Sequence, residues 1–211
     1  MRLPPECPRC GVEVAFDGER WDCYAHGEIA PLWRPEVASY DDLADHLRSS
    51  PNFPTYLPWP LPLGWAVTDF GVVGNVPEDA RATLACCSGT SEMDGPVDLL
   101  IVTEEPGTGL GARCARLDDW DPARVVADTA PSARVKVEGL GVVLWTVSTS
   151  AADGLLDRSV FVGEADGRWL WLIFRPASAM LLLQSEWLLQ DVSDLGPTLL
   201  EVEFCGPPPG W

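Results

Sequence analysis

Two periodicities organise the apolar positions of this chain. Over residues 39–48 they follow the helical repeat, with Tyr40, Leu43, Ala44 and Leu47 on one face. Ser39 can cap the first turn, Asp41 and Asp42 favour its positive end, and Pro51 stops the helix. This pattern predicts one short helix, with His46 on its polar, exposed side. Residues 51–64 have no usable period, because Pro51, Pro54, Pro58, Pro60 and Pro62 exclude both a helix and a central strand. Interspersed Tyr56, Leu57, Trp59, Leu61 and Leu63 predict an extended segment laid against a larger body.

Beyond Gly64 the pattern becomes that of strands. Apolar and alternating runs predict strands at 65–73, 81–88, 97–103, 134–137, 142–147, 159–165, 168–174 and 199–204. Asp166-Gly167 sits between two of these runs, where a two-residue hairpin turn needs positive φ at both positions. Residues 177–184 follow Pro176 and predict a short buried helix, although the Leu run also suits a strand. Long amphipathic helices do not alternate with the strands, so a parallel Rossmann-type sheet is not expected.

Before the helix, the spacing of polar residues carries chemistry. Cys7-Pro8-Arg9-Cys10-Gly11 and Cys23-Tyr24-Ala25-His26-Gly27 form a C-x2-C, C-x2-H pair of knuckles. Zinc takes four tetrahedral N or S ligands, and two tight turns each offering a ligand pair meet that need. Asp17-Gly18 between the knuckles is a hairpin signal, so ligand spacing and turn chemistry agree on a zinc ribbon. The expected metal ligands are Cys7, Cys10, Cys23 and His26. The expected cofactor is a structural Zn2+, because four protein ligands leave no position for water or substrate. Rubredoxin-type iron is the alternative, and a histidine among the ligands disfavours it. Roughly 30 residues cannot bury enough surface to fold alone, so the metal should contribute on the order of 10 kcal/mol. The fold expected is therefore α+β. A zinc ribbon (1–33) leads through a short helix and Pro-rich connector (34–64) to a mainly antiparallel β-rich domain with few short helices (65–211).

Charge and composition narrow the function. The chain has 211 residues, 46% apolar, with 14 basic and 32 acidic side chains and a formal charge of −18. Residues 1–35 hold six acids and four bases, so nearly all the excess belongs to the remainder. Such acidity disfavours nucleic acid and anionic membranes as partners of the large domain and suits a protein partner with a basic surface. No apolar h-region opens the chain, and the longest apolar run, 169–174, is far short of the roughly 20 residues that span a bilayer. Seven cysteines at irregular spacing make a poor disulfide framework, which points to a reducing cytoplasm.

Other candidates are weaker. The loop 104–113 is Gly-rich, and its amides with Arg113 could cradle an anion while Glu104 or Glu105 serves as a base. It lacks a G-K-[ST] ending, and a structural turn is the simpler reading. Asp118-Asp119-Trp120-Asp121 lacks the spacing of a calcium loop and reads as a solvated acidic turn. Cys86 and Cys87 should point to opposite faces of a strand; Cys114 and Cys205 read as small apolar residues. Trp169 and Trp171 should share a face, and with Trp59, Trp65, Trp145 and Trp187 they read first as core packing, an aromatic groove beside the Pro-rich segment being the alternative.

Taken together, Cys7-Pro8-Arg9-Cys10-Gly11, Trp21 with the second knuckle, Pro58 to Trp65, Gly109 to Arg113, and Gly163-Glu164-Ala165 with Trp169-Leu170-Trp171 resemble a family of uncharacterised actinobacterial proteins. The resemblance spans nearly the whole chain. It implies a zinc-ribbon protein of unknown function and carries over no catalytic residues. Some members bear a phosphotransacetylase label, but that chemistry needs a cationic phosphate site, whereas arginines here are scattered on an acidic background. The reading is a zinc-binding interaction or regulatory protein, more plausibly not an enzyme. The alternative is a small-ligand-binding protein or enzyme with a site near loop 104–113.

Overall fold

The computed structural model describes residues 2–75, 79–117, 120–147, 157–184 and 187–206. Three short strands, β1 (Ala15–Phe16), β2 (Trp21–Cys23) and β3 (Gly27–Glu28), form a small antiparallel sheet at the N-terminus. Ten further strands form one sheet: β4 (Leu32–Trp33), β5 (Tyr56–Pro58), β6 (Ala66–Val73), β7 (Ala82–Ser91), β8 (Gly95–Glu104), β9 (Ala133–Val137), β10 (Leu140–Val147), β11 (Ser159–Ala165), β12 (Arg168–Arg175) and β13 (Leu188–Asp191). Their spatial order is β4-β6-β7-β8-β12-β11-β10-β9-β13-β5. All neighbours are antiparallel except β9 and β13. Three short helices accompany them, α1 (Tyr40–Arg48), α2 (Leu110–Cys114) and α3 (Pro122–Asp128). The architecture is the β-rich, mainly antiparallel one expected. Among the described residues no helix is long and apolar enough to cross a membrane.

The centre of the large sheet is buried on both faces, which explains why its strands read as continuous apolar runs. On β8, Leu99 and Ile101 enter one core while Leu100 and Val102 enter the other. On β12, Leu170, Leu172 and Phe174 join the first core; Trp169, Trp171 and Ile173 face the second. Cys87 and Cys86 likewise separate between the two cores. The sheet curls, so that β5 at one end packs back across β7 and β8 around the first core. The hairpin between β11 and β12 has positive φ at Asp166 (52°) and Gly167 (73°), as a primed two-residue turn requires.

Local differences from the sequence reading have physical causes. Within the Pro-rich segment, β5 pairs only with β13 and lies at the end of the sheet, where missing amide donors are tolerated. Residues 196–201 form 3-10 turns instead of the strand expected at 199–204. Pro197 starts them, and buried Leu199 and Val202 recur at a three-residue spacing with Leu200 turned outward. Residues 177–184 are also 3-10, with Ala179 buried beneath largely exposed Met180 and Leu181.

His46 is a correction. It is only 5% exposed, packed 5.3 Å from the Phe70 ring, with Nε2 2.8 Å from Thr55 Oγ1. The buried face of α1 is Leu43 and His46, with Leu47 beside them, while Tyr40 is the exposed member. The 43/46/47 spacing was helical all along, but a titratable residue is ordinarily assigned to water. Burial, reinforced by the charge of Arg2, pulls the imidazole down to about 4. The unfolded chain then takes up a proton between about pH 6.5 and 4 that the native state refuses, so this residue costs stability as pH falls through that window. Chemical denaturation at pH 7 and pH 4.5 should show the wild type losing about 2 to 3 kcal/mol more than His46→Gln, which keeps a donor for Thr55. Equal losses in the two proteins would refute the assignment.

Candidate functional site

The N-terminal knuckles fold as their turn residues dictate. Cys7 N–H donates to Val12 O and Gly11 N–H to Cys7 O, closing a turn that requires positive φ at Gly11 (73°). The second knuckle closes through His26 N–H to Cys23 O, with Gly27 at φ 68°. Between them β1 and β2 are joined by a turn in which Asp17 Oδ1 accepts the amides of Glu19 and Arg20. Trp21 then packs edge-on to Trp33 at 5.4 Å, seating the ribbon on the first strand of the large sheet.

These turns bring Cys7, Cys10, Cys23 and His26 together, with one ligand atom of each lying within 4.8 Å of the others. Tetrahedral zinc bonds imply about 3.8 Å between sulfurs and about 3.6 Å between sulfur and nitrogen. The observed separations are 3.7 Å for Cys10 Sγ to Cys23 Sγ, and 3.4 and 3.6 Å from His26 Nδ1 to Cys7 Sγ and Cys23 Sγ. The four side chains are thus spaced for one ion, with Nδ1 as the histidine ligand. Burial opposes ionisation of Cys23, but the amides of Ala25 and His26 together with the imidazole outweigh it and bring the thiol down to about 6. The group can hold a metal ion.

The Gly-rich loop is where the ribbon lands. Arg9 from the first knuckle donates to Gly107 O at 2.5 Å and Thr108 O at 3.4 Å. In the opposite direction, Arg113 on α2 reaches the ribbon, pairing Glu6 Oε2 at 2.6 Å and donating to Cys7 O at 3.0 Å. The glycines make room for this exchange. A Cβ on Gly11 would meet the Arg113 guanidinium at 2.8 Å, and one on Gly109 would meet Arg9 Cγ at 3.0 Å.

Glu104 and Glu105 have different fates. Glu105 is exposed, whereas Glu104 is buried beneath α2. Its carboxylate accepts the amides of Leu110 (2.7 Å) and Gly111 (3.3 Å) and the Trp171 indole N–H (2.7 Å). Burial nonetheless pushes its carboxyl up to about 7. Of the three polar candidates of the loop, Glu104 and Arg113 therefore hold the architecture together, while Glu105 faces solvent.

An open cavity of about 970 Å3 lies where ribbon and loop meet. Cys10 and His26 of the Cys/His cluster contribute one wall, and Arg9, Arg113, Arg116 and Trp120 contribute others. Trp120 packs 5.4 Å from Trp171, and Asp121 caps α3 by accepting the Ala123 amide. Asp118 and Asp119 of the acidic turn lie outside the described residues. Cys114 is fully buried, but Cys205 is exposed, contrary to the apolar role expected of it. Trp169 and Trp171 enter the second core, whereas Trp59, Trp65 and Trp187 gather on the first, so the aromatic load is shared between two faces.

The sequence reading offered Arg9, with Arg20, as a residue of the ribbon that could touch a phosphate, and missed Glu6 and Arg116. Arg116 follows the end of α2 with φ 56°, a position where glycine is favoured and a side chain costs about 1 kcal/mol. No periodicity marks it, since its role depends on a helix of five residues and on the cavity beyond.

A family model described as a family of unknown function (DUF6758) matches residues 1–210. No curated protein and no solved structure matches the chain. The family match runs through the Cys/His knuckles, the Gly-rich loop that receives them and the sheet beneath, and so the chain belongs to the family of unknown function DUF6758.

Proposed function

We propose that this protein is a zinc-stabilised interaction or regulatory protein of a reducing, cytoplasmic compartment, in which the zinc is structural. One observation carries the reading: three sulfurs and one nitrogen lie within 4.8 Å of one another, with three of their six separations at 3.4–3.7 Å, and four such ligands on one ion would leave no position for substrate. The seven unpaired cysteines agree with a reducing environment. The outward face of the ribbon presents Tyr24, 87% exposed, and Phe16, 54% exposed, as contact residues for a partner. Around them Arg20 is shared by Asp17, Asp22 and Glu28. The strong negative charge of the remaining chain selects a protein partner with a basic surface over nucleic acid.

The cavity beside loop 104–113 supports a second reading, a small-ligand-binding protein or enzyme. Glu104 and Arg113 are weak candidates for its chemistry, because each is already engaged within the fold. Metal analysis of the purified protein should return about one zinc per chain and no iron. Capture from lysate should retain a basic protein that salt releases. A zinc-free protein, or one with no salt-sensitive partner, would remove the respective half of the proposal.

A further inference from the structure

The cavity gathers basic side chains that are scarce in this chain. The protein carries −18, yet three of its 14 basic side chains, Arg9, Arg113 and Arg116, line this one space. Arg113 is matched by Glu6. Arg9 meets only the carbonyl oxygens of Gly107 and Thr108, and among the described residues no carboxylate lies at ion-pair distance from it. Arg116 reaches Asp157 at 3.9 Å, but that carboxylate already receives Arg158 on both oxygens, at 2.9 and 2.8 Å, and Arg175 at 3.9 Å. One acid is shared by three guanidinium groups, and one of these, Arg158, is buried.

Among the described residues, the carboxylates that line the cavity have other duties. Glu104 has its oxygens taken by two amides and an indole N–H, and Asp121 caps α3. The thiolates of the knuckle would be shared with a bound cation. An apolar side is provided by Pro106, Leu117 and Trp120. Arg116 also occupies a left-handed position at the end of α2 that glycine fills with less strain, so its side chain is kept against local preference. The volume lies near the upper end of the roughly 300–1,000 Å3 of small-molecule sites.

We propose that this cavity is a binding site for a small organic oxyanion, with a phosphate or carboxylate head held by Arg9 and Arg116 and a flat ring against Trp120. Guanidinium groups suit both head groups through paired N–H donors, and an indole face suits a ring. This site rests on the second reading above, a small-ligand cavity beside loop 104–113, and is independent of the zinc-ribbon interaction reading. Binding of benzyl alcohol without either anion would keep the cavity reading and overturn this one.

Calorimetric titration of the metal-loaded protein with phenyl phosphate, benzoate and neutral benzyl alcohol tests it. Saturable binding of phenyl phosphate or benzoate, but not of benzyl alcohol, is expected, and the tighter of the two identifies the head group. Arg116→Gly should weaken that binding at least about tenfold while raising the melting temperature of the unliganded protein, because the left-handed strain is relieved. A purely structural arginine would not separate the two readouts. Arg124→Gln, an exposed change on α3 outside the cavity, should bind as the wild type does. Binding of neither anion, or undiminished affinity in Arg116→Gly, overturns the proposal.

Discussion

Cys23→Ser is expected to purify without metal and with an unfolded ribbon. Three ligands cannot close the tetrahedral shell, and serine oxygen is a poor substitute for thiolate. Among the described residues the module's own buried cluster is Cys7, Val14 and Cys23, with Trp21 and Ile29 packed against them. Such a core cannot offset the entropy of ordering the segment, so on the proposed zinc reading metal binding on the order of 10 kcal/mol would hold it. Metal content should fall from about one per chain to near zero, and Cys7→Ser should behave alike. Hydrogen exchange should show residues 6–29 losing protection while the amides of β8 and β12 keep theirs, because both strands lie between the two large cores. Undocking of the ribbon should also expose Arg113, whose ion pair with Glu6 would be broken. Retention of stoichiometric metal by Cys23→Ser would show that the knuckles are not the site.

Gly111→Ala is expected to be the most damaging single substitution in the larger body. A Cβ at this helical glycine would lie 2.2 Å from Trp171 Nε1 and 2.3 Å from two of the indole carbons. Trp171 is fully buried and cannot swing aside without opening the second core. Its indole N–H is also one of the three donors that satisfy Glu104, so displacement leaves a buried carboxylate short of a partner. Overpacking costs about 1–3 kcal/mol and an orphaned buried polar group about 1–3 more, so a loss of about 3–5 kcal/mol is expected in chemical denaturation. Gly141→Ala is the matched control. It lies on β10 with no atom within 4 Å of its prospective Cβ and should change stability little. A near-neutral Gly111→Ala would mean that α2 sits farther from β12 than the structure places it.

Much of the candidate site was legible because its determinants are local. The knuckle ligands span 19 positions between Cys7 and His26, and the turns between them need particular φ values that Gly11, Gly18 and Gly27 supply. The β11–β12 hairpin was equally legible, since Asp166-Gly167 can make few other turns. Cys86 and Cys87 divided between two cores because the side-chain period of a strand leaves no alternative. His46 was misread for the opposite reason: its helical position was correct, but whether that face meets water depends on Phe70 and Thr55, which belong to other elements.

What the amino-acid order determined by itself was therefore the ligand spacing of the ribbon, the run of antiparallel strands and the turns that join them. Tertiary structure alone decided the use of loop 104–113. Its glycines were readable as anion-binding amides, but they serve as the floor on which Arg9 arrives, 98 positions away along the chain. The Arg113–Glu6 pair spans 107 positions, and nothing in either neighbourhood names the other partner. Short-range geometry is written in φ preferences and in periods of two and 3.6 residues. Contacts between distant segments follow from how a sheet buried on both faces curls and where it leaves room for α2. The fold brings cationic side chains from the N-terminus and the middle of an acidic chain to one cavity, a convergence that composition conceals by averaging charge over the whole sequence.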